Sequence, residues 1–430
     1  MTVQTLAIIV LLVSFFVMIF LRFPIAYAVG LSSVLCMLVQ GQALTDVCRL
    51  MVKGISSFSL MAVPFFITMG VLMGSGGISE KLIALADACV GWMRGGMAMV
   101  NIVASYFFGG ISGSASADTA SIGSIMIPMM VDQGYGADFS TAVTITSSCE
   151  GLLVPPSHNM VIYATTAGGI SVGSLFLAGY LPGALLAIVL MIGSYIISVK
   201  RHYPRHERSS WKKRWEVTKD AIWALLMPVI LLGGILSGIF TPTEASIVTC
   251  VYSMIVGVFV YKEIKLSDVP RIVYTNMRSC SSIIILIGLA NVFAFILTNE
   301  RIPQKVATAI LSMTTNRILV ILLINLVLIF VGMFMESLAA ILITFPVLLP
   351  VATAVGMNPV HFALMAILNL MIGLTTPPVG MCICTGAQIG GVSSWKAFKA
   401  NMPFLITSLI VLMLVSFCEP ITLWIPSLFA

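Results

Sequence analysis

Long apolar segments separated by short polar ones run through nearly the whole chain. Ten of these segments reach the roughly 17 residues that an α-helix needs to cross a membrane. They lie at 5–21, 24–40, 56–75, 138–167, 173–199, 220–240, 243–261, 277–297, 359–389 and 401–424. Apolar and polar residues do not alternate along them, which argues against a β-barrel. We therefore predict an all-α, polytopic membrane protein.

Two further apolar stretches, 95–131 and 317–355, are interrupted near their middles. The interruptions read GGISGSASAD in the first stretch and GMFMES in the second. We predict that each stretch is a helix–tip–helix hairpin that enters and leaves the membrane on the same side. Amphipathic segments at 78–90 and 302–313 precede the hairpins, and we expect them to lie at the membrane interface as arms.

The second half of the chain repeats part of the first. With a shift of 222 positions, residues 128–171 align with 350–393 without a gap, and ten of the 44 aligned pairs are identical. Most identities are glycines and prolines, which set backbone shape. They include Pro155-Pro156, which align with Pro377-Pro378. Paired interruptions in two halves indicate the binding site of a secondary transporter.

Each Pro-Pro pair should leave main-chain oxygens without donors. Proline has no N–H and clashes with the carbonyl four residues earlier. We expect two free carbonyls before each pair: those of Gly151 and Leu152 in the first repeat, and those of Gly373 and Leu374 in the second. Such groups cost several kcal/mol in hydrocarbon unless something satisfies them. A desolvated Na⁺ would do so, and the alternative is a simple proline kink satisfied by hydroxyl groups and water.

The positions of the basic residues predict the orientation of the chain. The net charge is +6, and the basic segment 200–219 separates two apolar runs, so the positive-inside rule places it in the cytoplasm. With the N-terminus outside, before Arg22, and both hairpins re-entrant, 17 of the 22 Lys and Arg residues fall on the cytoplasmic side. Both termini then lie outside, and the second repeat is inverted relative to the first.

These features divide the chain into scaffold and repeat. The two inverted repeats span 55–171 and 277–393, and each contains an arm helix, a hairpin and a Pro-Pro-interrupted helix. The remaining parts are scaffold: the N-terminal helices 1–54, the helices of 172–276 with the cytoplasmic basic loop 200–219, and a C-terminal helix in 394–430.

Composition and motifs argue against an enzyme. Only 9% of the residues are charged, far below a soluble domain. The sequence has no GxxxxGK[ST] motif for ATP hydrolysis and no Ser/His/Asp grouping. The nine cysteines are interpreted as buried small hydrophobic residues, and the four histidines form no metal motif. The basic loop flanks membrane spans, so we interpret it as a topology signal and predict no nucleic-acid partner. Energy for transport would come from ion gradients.

Four acidic residues lie at or near membrane depth, where acids are functional candidates by default. Asp118 and Glu336 follow the two hairpin tips, and they are candidates either for ion ligation or for capping the next helix. Glu150 is a candidate proton or ion carrier. Glu244, in TPTEA, is interpreted as a first-turn acid of a new helix.

Motifs at these positions resemble those of the large membrane subunit of tripartite ATP-independent periplasmic (TRAP) transporters. The matching stretches are GGISGSASADTASIG, IMIPMMVDQGY, GLLVPPS with Tyr163, TPTEAS, FPVLLPVATAVGMNPVHF and GLTTPPVGMCI. They cover nearly the whole chain. The sequence departs from the family pattern at Glu336, where Asp is expected, and at His158-Asn159, where aliphatic residues are common.

The resemblance implies an elevator-type Na⁺ symporter of the bacterial inner membrane, with both termini periplasmic. Its substrate would be a small anionic organic acid, such as a C4-dicarboxylate, a sialic acid or another sugar or keto acid, moved with at least two Na⁺ per cycle. Its partners would be a small four-helix membrane subunit, a periplasmic substrate-binding protein and the lipid bilayer.

Carried onto this sequence, the resemblance implies two sodium sites and a substrate site. One sodium site would use Ser112, Gly113, Ser114, Gly151, Val154 and Pro156. The other would use Gly332, Met333, Glu336, Gly373, Thr376 and Pro378. The candidates for substrate contact are Ser116, Ser157 and Asn159.

Other classes of protein stay open at this stage. A stand-alone ion-coupled carrier or antiporter would share the same architecture, and a neighbouring gene for a periplasmic binding protein would argue against it. A channel would conduct without coupling to a gradient. A membrane enzyme would need a clustered polar catalytic set, which the sequence does not show.

Overall fold

The computed structural model describes residues 3–21, 23–205, 207–314 and 316–429. Within those ranges the chain is helical almost throughout, and an isolated bridge between Arg94 and Arg205 is the only β-type pairing. Arg22, which marks the predicted inner end of the first apolar run, lies outside the described residues. The prediction of an all-α fold is confirmed.

Five helices precede the first predicted hairpin. They are α1 (Val3–Phe20), α2 (Ile25–Val39), α3 (Leu44–Ile55), α4 (Ala62–Ser75) and α5 (Ile78–Val90). A 3₁₀ turn, Phe58–Met61, leads directly into α4. The predicted amphipathic arm at 78–90 coincides with α5.

The first hairpin and the first interrupted helix occupy the next four helices. They are α6 (Gly96–Ser112), α7 (Ala115–Asp132), α8 (Ala137–Ser148) and α9 (His158–Ala167). Gly113 and Ser114 form the turn between α6 and α7, and Gly113 adopts a left-handed conformation with φ +62°.

Eleven further helices of the described residues complete the chain. The connecting helices are α10 (Val172–Lys200), α11 (Trp211–Leu236), α12 (Pro242–Ile255) and α13 (Val269–Asn299). The second arm, hairpin and interrupted helix are α14 (Ile302–Met313), α15 (Arg317–Phe334), α16 (Ser337–Ala354), α17 (Pro359–Leu374) and α18 (Met381–Ile389). The last two are α19 (Ser394–Phe417) and α20 (Pro420–Ser427).

One predicted span differs from the structure at the C-terminus. The apolar run 401–424 is not one helix, because α19 ends at Phe417 and α20 begins at Pro420. Proline is favoured at the first position of a helix, where its missing N–H costs nothing. The predicted single C-terminal scaffold helix is therefore two helices.

The helices are suited to a bilayer. Eight helical segments of the described residues are long and apolar enough to cross a membrane. Large apolar side chains also face outward, as at Phe20, Val229, Ile239 and Leu326, whose exposures range from 63% to 74%. Contact of such faces with lipid tails costs no free energy, whereas their exposure to water is unfavourable.

The two repeats contain the same elements in the same order. Helices α5, α7 and α8 begin 224, 222 and 222 positions before α14, α16 and α17 respectively. Gly134 and Gly356 both adopt positive φ in the turn after a hairpin, and both Pro-Pro bonds are cis. The inversion of the second repeat across the membrane stays a prediction.

The interrupted helices form the centre of the molecule. Every residue from Phe139 to Ser148 in α8 and from His361 to Leu374 in α17 is buried. Each second half packs on the hairpin of the other repeat, since α9 contacts α16 and α18 contacts α7. The repeats are therefore interlocked at their interruptions.

Loop contacts join segments that the predicted topology places on the same side. The Gly95 N–H donates to the Pro204 carbonyl at 3.2 Å, and Arg205 Nε donates to the Trp92 carbonyl at 3.0 Å. Nearby, Arg201 donates to the Tyr203 hydroxyl at 3.1 Å. That bond, with the neighbouring Asp138 carboxylate, raises the pKa of Arg201. These contacts tie the turn before the first hairpin to the basic loop.

Candidate functional site

Two hairpin tips and two helix breaks meet in the interior. We call Gly113-Ser114 tip 1 and Met335-Glu336 tip 2, and we call 149–157 break 1 and 375–380 break 2. Tip 1 lies against break 1, and the end of α15 just before tip 2 contacts break 2, where the Val379 N–H donates to the Met333 carbonyl. Glu336 of tip 2 and Leu152 of break 1 line the same small cavity.

Glycine permits the contact between the first hairpin and break 1. A Cβ added at Gly109 would lie 2.5 Å from Gly151 Cα, and one added at Gly151 would lie 2.9 Å from Gly109 Cα. Both distances are shorter than real Cβ contacts, so neither position accepts a side chain without movement of the main chain. Gly109 and Gly113 form a GxxxG pattern, which is typical of close helix contacts in membranes.

Tip 1 lies directly on the main-chain oxygens of break 1. A Cβ at Gly113 would be 2.7 Å from the Pro156 carbonyl oxygen, and one at Gly110 would be 3.2 Å from that of Pro155. The structure thus brings together most of the first predicted sodium set, which comprises Ser112, Gly113, Ser114, Gly151, Val154 and Pro156. Their role as ligands stays a prediction.

Break 1 leaves the expected carbonyls without donors. The N–H groups of Leu153 and Val154 both donate to Glu150, at 2.9 and 3.0 Å. The donors that a helix would offer to Leu152 belong to the two prolines, which have none. Within the described residues, the carbonyls of Gly151 and Leu152 accept no backbone hydrogen bond.

Break 2 differs, and one expectation for it is wrong. The Gly373 carbonyl is not free, because it accepts from the Thr376 N–H at 2.9 Å. A 3₁₀-type bond replaces the donor that Pro377 cannot supply. In the first repeat the equivalent N–H, that of Val154, bonds Glu150 instead of Gly151. The two breaks are therefore not equivalent despite their matching sequence.

The second predicted sodium set is only partly assembled. Gly332 touches Gly373, and a Cβ at Gly373 would lie 2.5 Å from the Gly332 carbonyl carbon. The Met333 carbonyl accepts from Val379 at 3.3 Å, and the Thr376 hydroxyl donates to Ile372 at 2.8 Å. The sixth member, Pro378, is exposed, whereas Pro156 is buried.

Two buried acids lie behind tip 1. Asp118 and Glu150 are fully buried, and none of their four carboxylate oxygens has a hydrogen-bond partner of normal geometry among the described residues. The hydroxyl groups of Ser105 and Ser148 are neighbours of Asp118. Buried unpaired carboxylates are costly, so each needs a proton or a cation.

Three acids are candidates for capping a helix, and the structure supports this role for one of them. Ser114, not Asp118, caps α7, because its hydroxyl accepts from the Ala117 N–H at 3.4 Å. Glu336 occupies the capping position of α16, but its side chain makes no capping bond. Capping is therefore wrong for both. Glu244 forms a capping box with Thr241, which confirms its interpretation as a first-turn acid.

Of the three substrate candidates, Ser116 lines a small cavity between the hairpin tips and break 1, whereas Ser157 and Asn159 do not. The Ser157 hydroxyl is buried without a partner, and Ser116 is exposed and lies 3.3 Å from the Ser114 hydroxyl. Asn159 Nδ2 donates to Ser337 Oγ at 3.1 Å, which joins the start of α9, just after break 1, to the start of α16. The cavity has a volume of about 10 Å³ and includes His158 and Glu336 in its wall. That space suffices for about one water molecule.

Sequence reasoning missed the polar pairs that hold each hairpin to its interrupted helix. Asn101 donates to Thr144 at 2.6 Å in the first repeat, and Asn369 donates to Asn325 at 2.7 Å in the second. Single Asn residues inside apolar helices are a signal for such interhelical bonds. The sequence also gave no sign of Ser337 as the partner of Asn159.

The cysteines fit their interpretation only in part. Cys149 and Cys382 are buried, and their sulfur atoms lie 3.7 Å apart across the repeats. Cys250 is partly buried, and four cysteines are exposed, contrary to the expectation of buried residues: Cys48, Cys89, Cys384 and Cys418. Among the described residues, no group of three or more His, Cys, Asp or Glu side chains has the arrangement of a metal site.

Comparison with known families identifies a match along nearly the whole chain. Residues 12–421 match the family model described as the DctM component of the tripartite ATP-independent periplasmic transporter. The chain is 42% identical over 379 residues to the sialic acid TRAP transporter large permease protein SiaM of Vibrio cholerae, covering 88% of each chain. It is 35% identical over 419 residues to the C4-dicarboxylate large permease DctM of Rhodobacter capsulatus, covering 94% of this chain and 95% of that one.

A solved structure shares the fold. The crystal structure of the YdaH transporter of Alcanivorax borkumensis, described as having an unusual topology, superposes with a TM-score of 0.65. The match covers 88% of this chain and 90% of that one, at 14% sequence identity. At that identity, the likeness concerns the fold alone.

Proposed function

Because the chain belongs to the family of the DctM component of tripartite ATP-independent periplasmic transporters, we propose that it imports a small organic acid by Na⁺ symport. Members of this family are membrane permeases and not enzymes. The related permeases compared above serve the uptake of organic acids. The proposal adds the coupling ion, its sites and the way in which the chain moves its substrate.

The observation that carries the proposal is the contact of tip 1 with break 1. The carbonyls of Gly151 and Leu152 accept no backbone hydrogen bond, and Leu152 lines the same small cavity as Ser114 of tip 1. Ser112, the last residue of α6, brings a second hydroxyl to the end of this hairpin arm. Such oxygens are what a dehydrated Na⁺ requires. Asp118 and Glu150 behind the tip add negative charge that has no cationic side chain beside it in the described residues.

A Na⁺ gradient would supply enough energy for accumulation. Moving one charge across 100 mV contributes about 2.3 kcal/mol, and a tenfold concentration ratio contributes about 1.4 kcal/mol. Two Na⁺ per cycle would therefore supply on the order of 7 kcal/mol. We assign the first ion to tip 1 and the second to Gly332, Met333, Glu336, Gly373, Thr376 and Pro378.

The substrate is proposed to be a small carboxylate, because the related permeases of Vibrio cholerae and Rhodobacter capsulatus belong to a sialic acid and a C4-dicarboxylate transporter. Ser116, Ser157 and Asn159 would contact it, and the positive ends of α7 and α9 would favour its negative charge. The present cavity of about 10 Å³ is too small for such a molecule. Admission of substrate therefore requires the tips and breaks to move relative to other elements.

We further propose an elevator motion of two inverted repeats. Each break lies midway along its interrupted helix. A hairpin that enters the membrane from either side and contacts such a break would therefore place its tip near the middle of the membrane. The interlocking of α9 with α16 and α18 with α7 would let both breaks move as one body. A small four-helix membrane subunit and a periplasmic substrate-binding protein are the proposed partners, and the bacterial inner membrane is the proposed location.

The test is uptake into proteoliposomes that contain the purified complex. Radiolabelled organic acids would be screened with their binding protein present, with an inward Na⁺ gradient or an equal K⁺ gradient. We expect uptake only with Na⁺ and the binding protein together, and a Na⁺ dependence steeper than first order. Uptake that proceeds equally in K⁺ would refute the coupling, and uptake without binding protein would favour a stand-alone carrier.

A second arm of this experiment addresses the first sodium site. Glu150→Gln removes one buried carboxylate at nearly the same size and puts an N–H₂ donor in the place of one acceptor oxygen. We expect half-maximal uptake to require at least several-fold more Na⁺, with the same substrate selectivity. Glu244→Gln, which changes an acid of the α12 capping box, is the control and should leave the Na⁺ titration unchanged.

A further inference from the structure

A large groove lies at the end of α10, away from the tips and breaks. Its volume is about 1020 Å³, and it lies between the turn before α6, the end of α10 and the loop that follows. Its walls include Trp92, Arg94, Ile188, Ile192, Tyr195 and Arg205. It is too large and too open to be a packing defect.

One wall of the groove is an apolar stripe on α10. Ile188, Ile192 and Tyr195 follow the i, i+4, i+7 spacing of one helix face, and they are 55%, 55% and 43% exposed. With 29 residues at 1.5 Å each, α10 is about 44 Å long, whereas the hydrocarbon core is about 30 Å thick. The helix is therefore longer than the core, and on the predicted topology its C-terminal end, which carries Tyr195, lies toward the cytoplasmic headgroups.

The other wall is basic and aromatic. Arg94 and Arg205 both line the groove and are exposed, and Arg208 lies over the Trp92 ring at 5.1 Å. Among the residues that the structure describes, no acid lines the groove and none forms an ion pair with Arg94 or Arg205. Guanidinium groups without carboxylate partners are suited to bind phosphate in a bidentate manner.

We propose that this groove binds an anionic phospholipid of the cytoplasmic leaflet. Its phosphate would lie between Arg94 and Arg205, with Trp92 and Tyr195 at the headgroup level where aromatic residues collect. One acyl chain would cover Ile188 and Ile192. Basic pockets beside membrane helices on the cytoplasmic side are typical lipid headgroup sites. The combination of charge and an apolar stripe favours a lipid over a free anion or a protein helix.

The test is lipid retention by the full-length protein, purified with any co-purifying subunit. Native mass spectrometry would count bound phosphatidylglycerol after exchange into detergent with mixed phosphatidylglycerol and phosphatidylcholine. We expect at least a threefold excess of phosphatidylglycerol over phosphatidylcholine on the native protein. The double variant Arg94→Gln with Arg205→Gln should lose that excess.

Three controls keep the outcome clear. Lys212→Gln with Lys213→Gln removes equal charge from exposed positions outside the groove and should retain the lipid. Arg94→Lys with Arg205→Lys keeps the charge and should retain at least half of the preference, which excludes a folding defect. Inorganic phosphate at millimolar concentration should not displace the lipid.

Equal retention by the groove variant and the Lys212/Lys213 control would overturn the proposal. Displacement by inorganic phosphate would also overturn it, because the site would then be a simple anion pocket. So would loss of the retained lipid when the small membrane subunit is present, because a protein partner would then occupy the groove.

Discussion

The contact between Gly109 and Gly151 gives the sharpest test of the proposed coupling. In Gly109→Ala, the new methyl group would lie 2.5 Å from Gly151 Cα, whereas ordinary contact begins at 3.4 Å. The first hairpin and break 1 must therefore separate by about 0.9 Å. Both groups are main chain and cannot rotate away, unlike a flexible side chain.

That separation acts directly on the proposed ion ligands. Gly113 and Ser114 follow Gly109 by four and five residues, so a shift of α6 carries the tip away from the Pro156 carbonyl. A misplacement of about 1 Å in a positioned site can cost roughly 10²-fold in rate. Overpacking should also lower the free energy of unfolding by about 1–3 kcal/mol. We expect the Na⁺ concentration for half-maximal uptake to rise by about one to two orders of magnitude.

The assay is a Na⁺ titration of uptake in proteoliposomes, with thermal melting in detergent as a separate measure of folding. Gly233→Ala is the matched control, because it adds the same methyl group to α11 where nothing lies within 4 Å. That variant should keep the native titration and melt at or above the native temperature. A Gly109→Ala protein that is folded and has the native Na⁺ titration would refute the link between this contact and ion binding.

Two further predictions concern hydrogen bonds between buried side chains. Ser337→Ala leaves the Asn159 amide without its acceptor, so the free energy of unfolding, measured with heat or denaturant, should fall by about 1–3 kcal/mol. In a double-mutant cycle, Asn159→Ala combined with Ser337→Ala should cost less than the sum of the two single changes. Strict additivity would contradict the bond. Asn325→Ala removes the side-chain oxygen that accepts from Asn369 and the amide that donates to Ser416, while the Asn325 main-chain carbonyl still accepts from Asn369 at 3.0 Å. The change should cost about 0.6–2 kcal/mol in the same unfolding assay, and a neutral result would show that these two side-chain bonds add nothing to stability.

Much of the fold follows from the sequence because membrane helices have a strong local signal. The predicted arms at 78–90 and 302–313 coincide with α5 and α14 within one residue. Hydropathy also located the two hairpins. In lipid every backbone group must bond within its own helix, so a long apolar stretch is helical on both sides of a polar interruption. The split between α19 and α20 was missed because a Pro that begins a helix and one inside a helix look alike in an apolar run.

The site could be predicted in its components but not in its pairings. The motifs identify the tips and breaks, and the structure brings Gly113 to Pro156 as the resemblance implied. Hydrogen bonds such as that of Asn159 to Ser337 join positions 178 residues apart in sequence. Nothing local selects such a partner, because it depends on how two repeats pack. The same limit applies to the acid pair Asp118 and Glu150.

The difference between the breaks has a consequence for how two ions would bind. Repeated Pro-Pro motifs predict two equal sites. The Gly151 carbonyl accepts no backbone hydrogen bond, however, whereas the Gly373 carbonyl accepts one from the Thr376 N–H. Break 1 also has two buried acids nearby, whereas break 2 has the partly exposed Glu336. A cation at break 1 would satisfy oxygens that otherwise have no partner, whereas one at break 2 would share the Gly373 and Met333 carbonyls with the N–H groups that already donate to them. On the proposed mechanism, the first site should therefore hold its ion more tightly, and the second should form fully only when tip 2 moves.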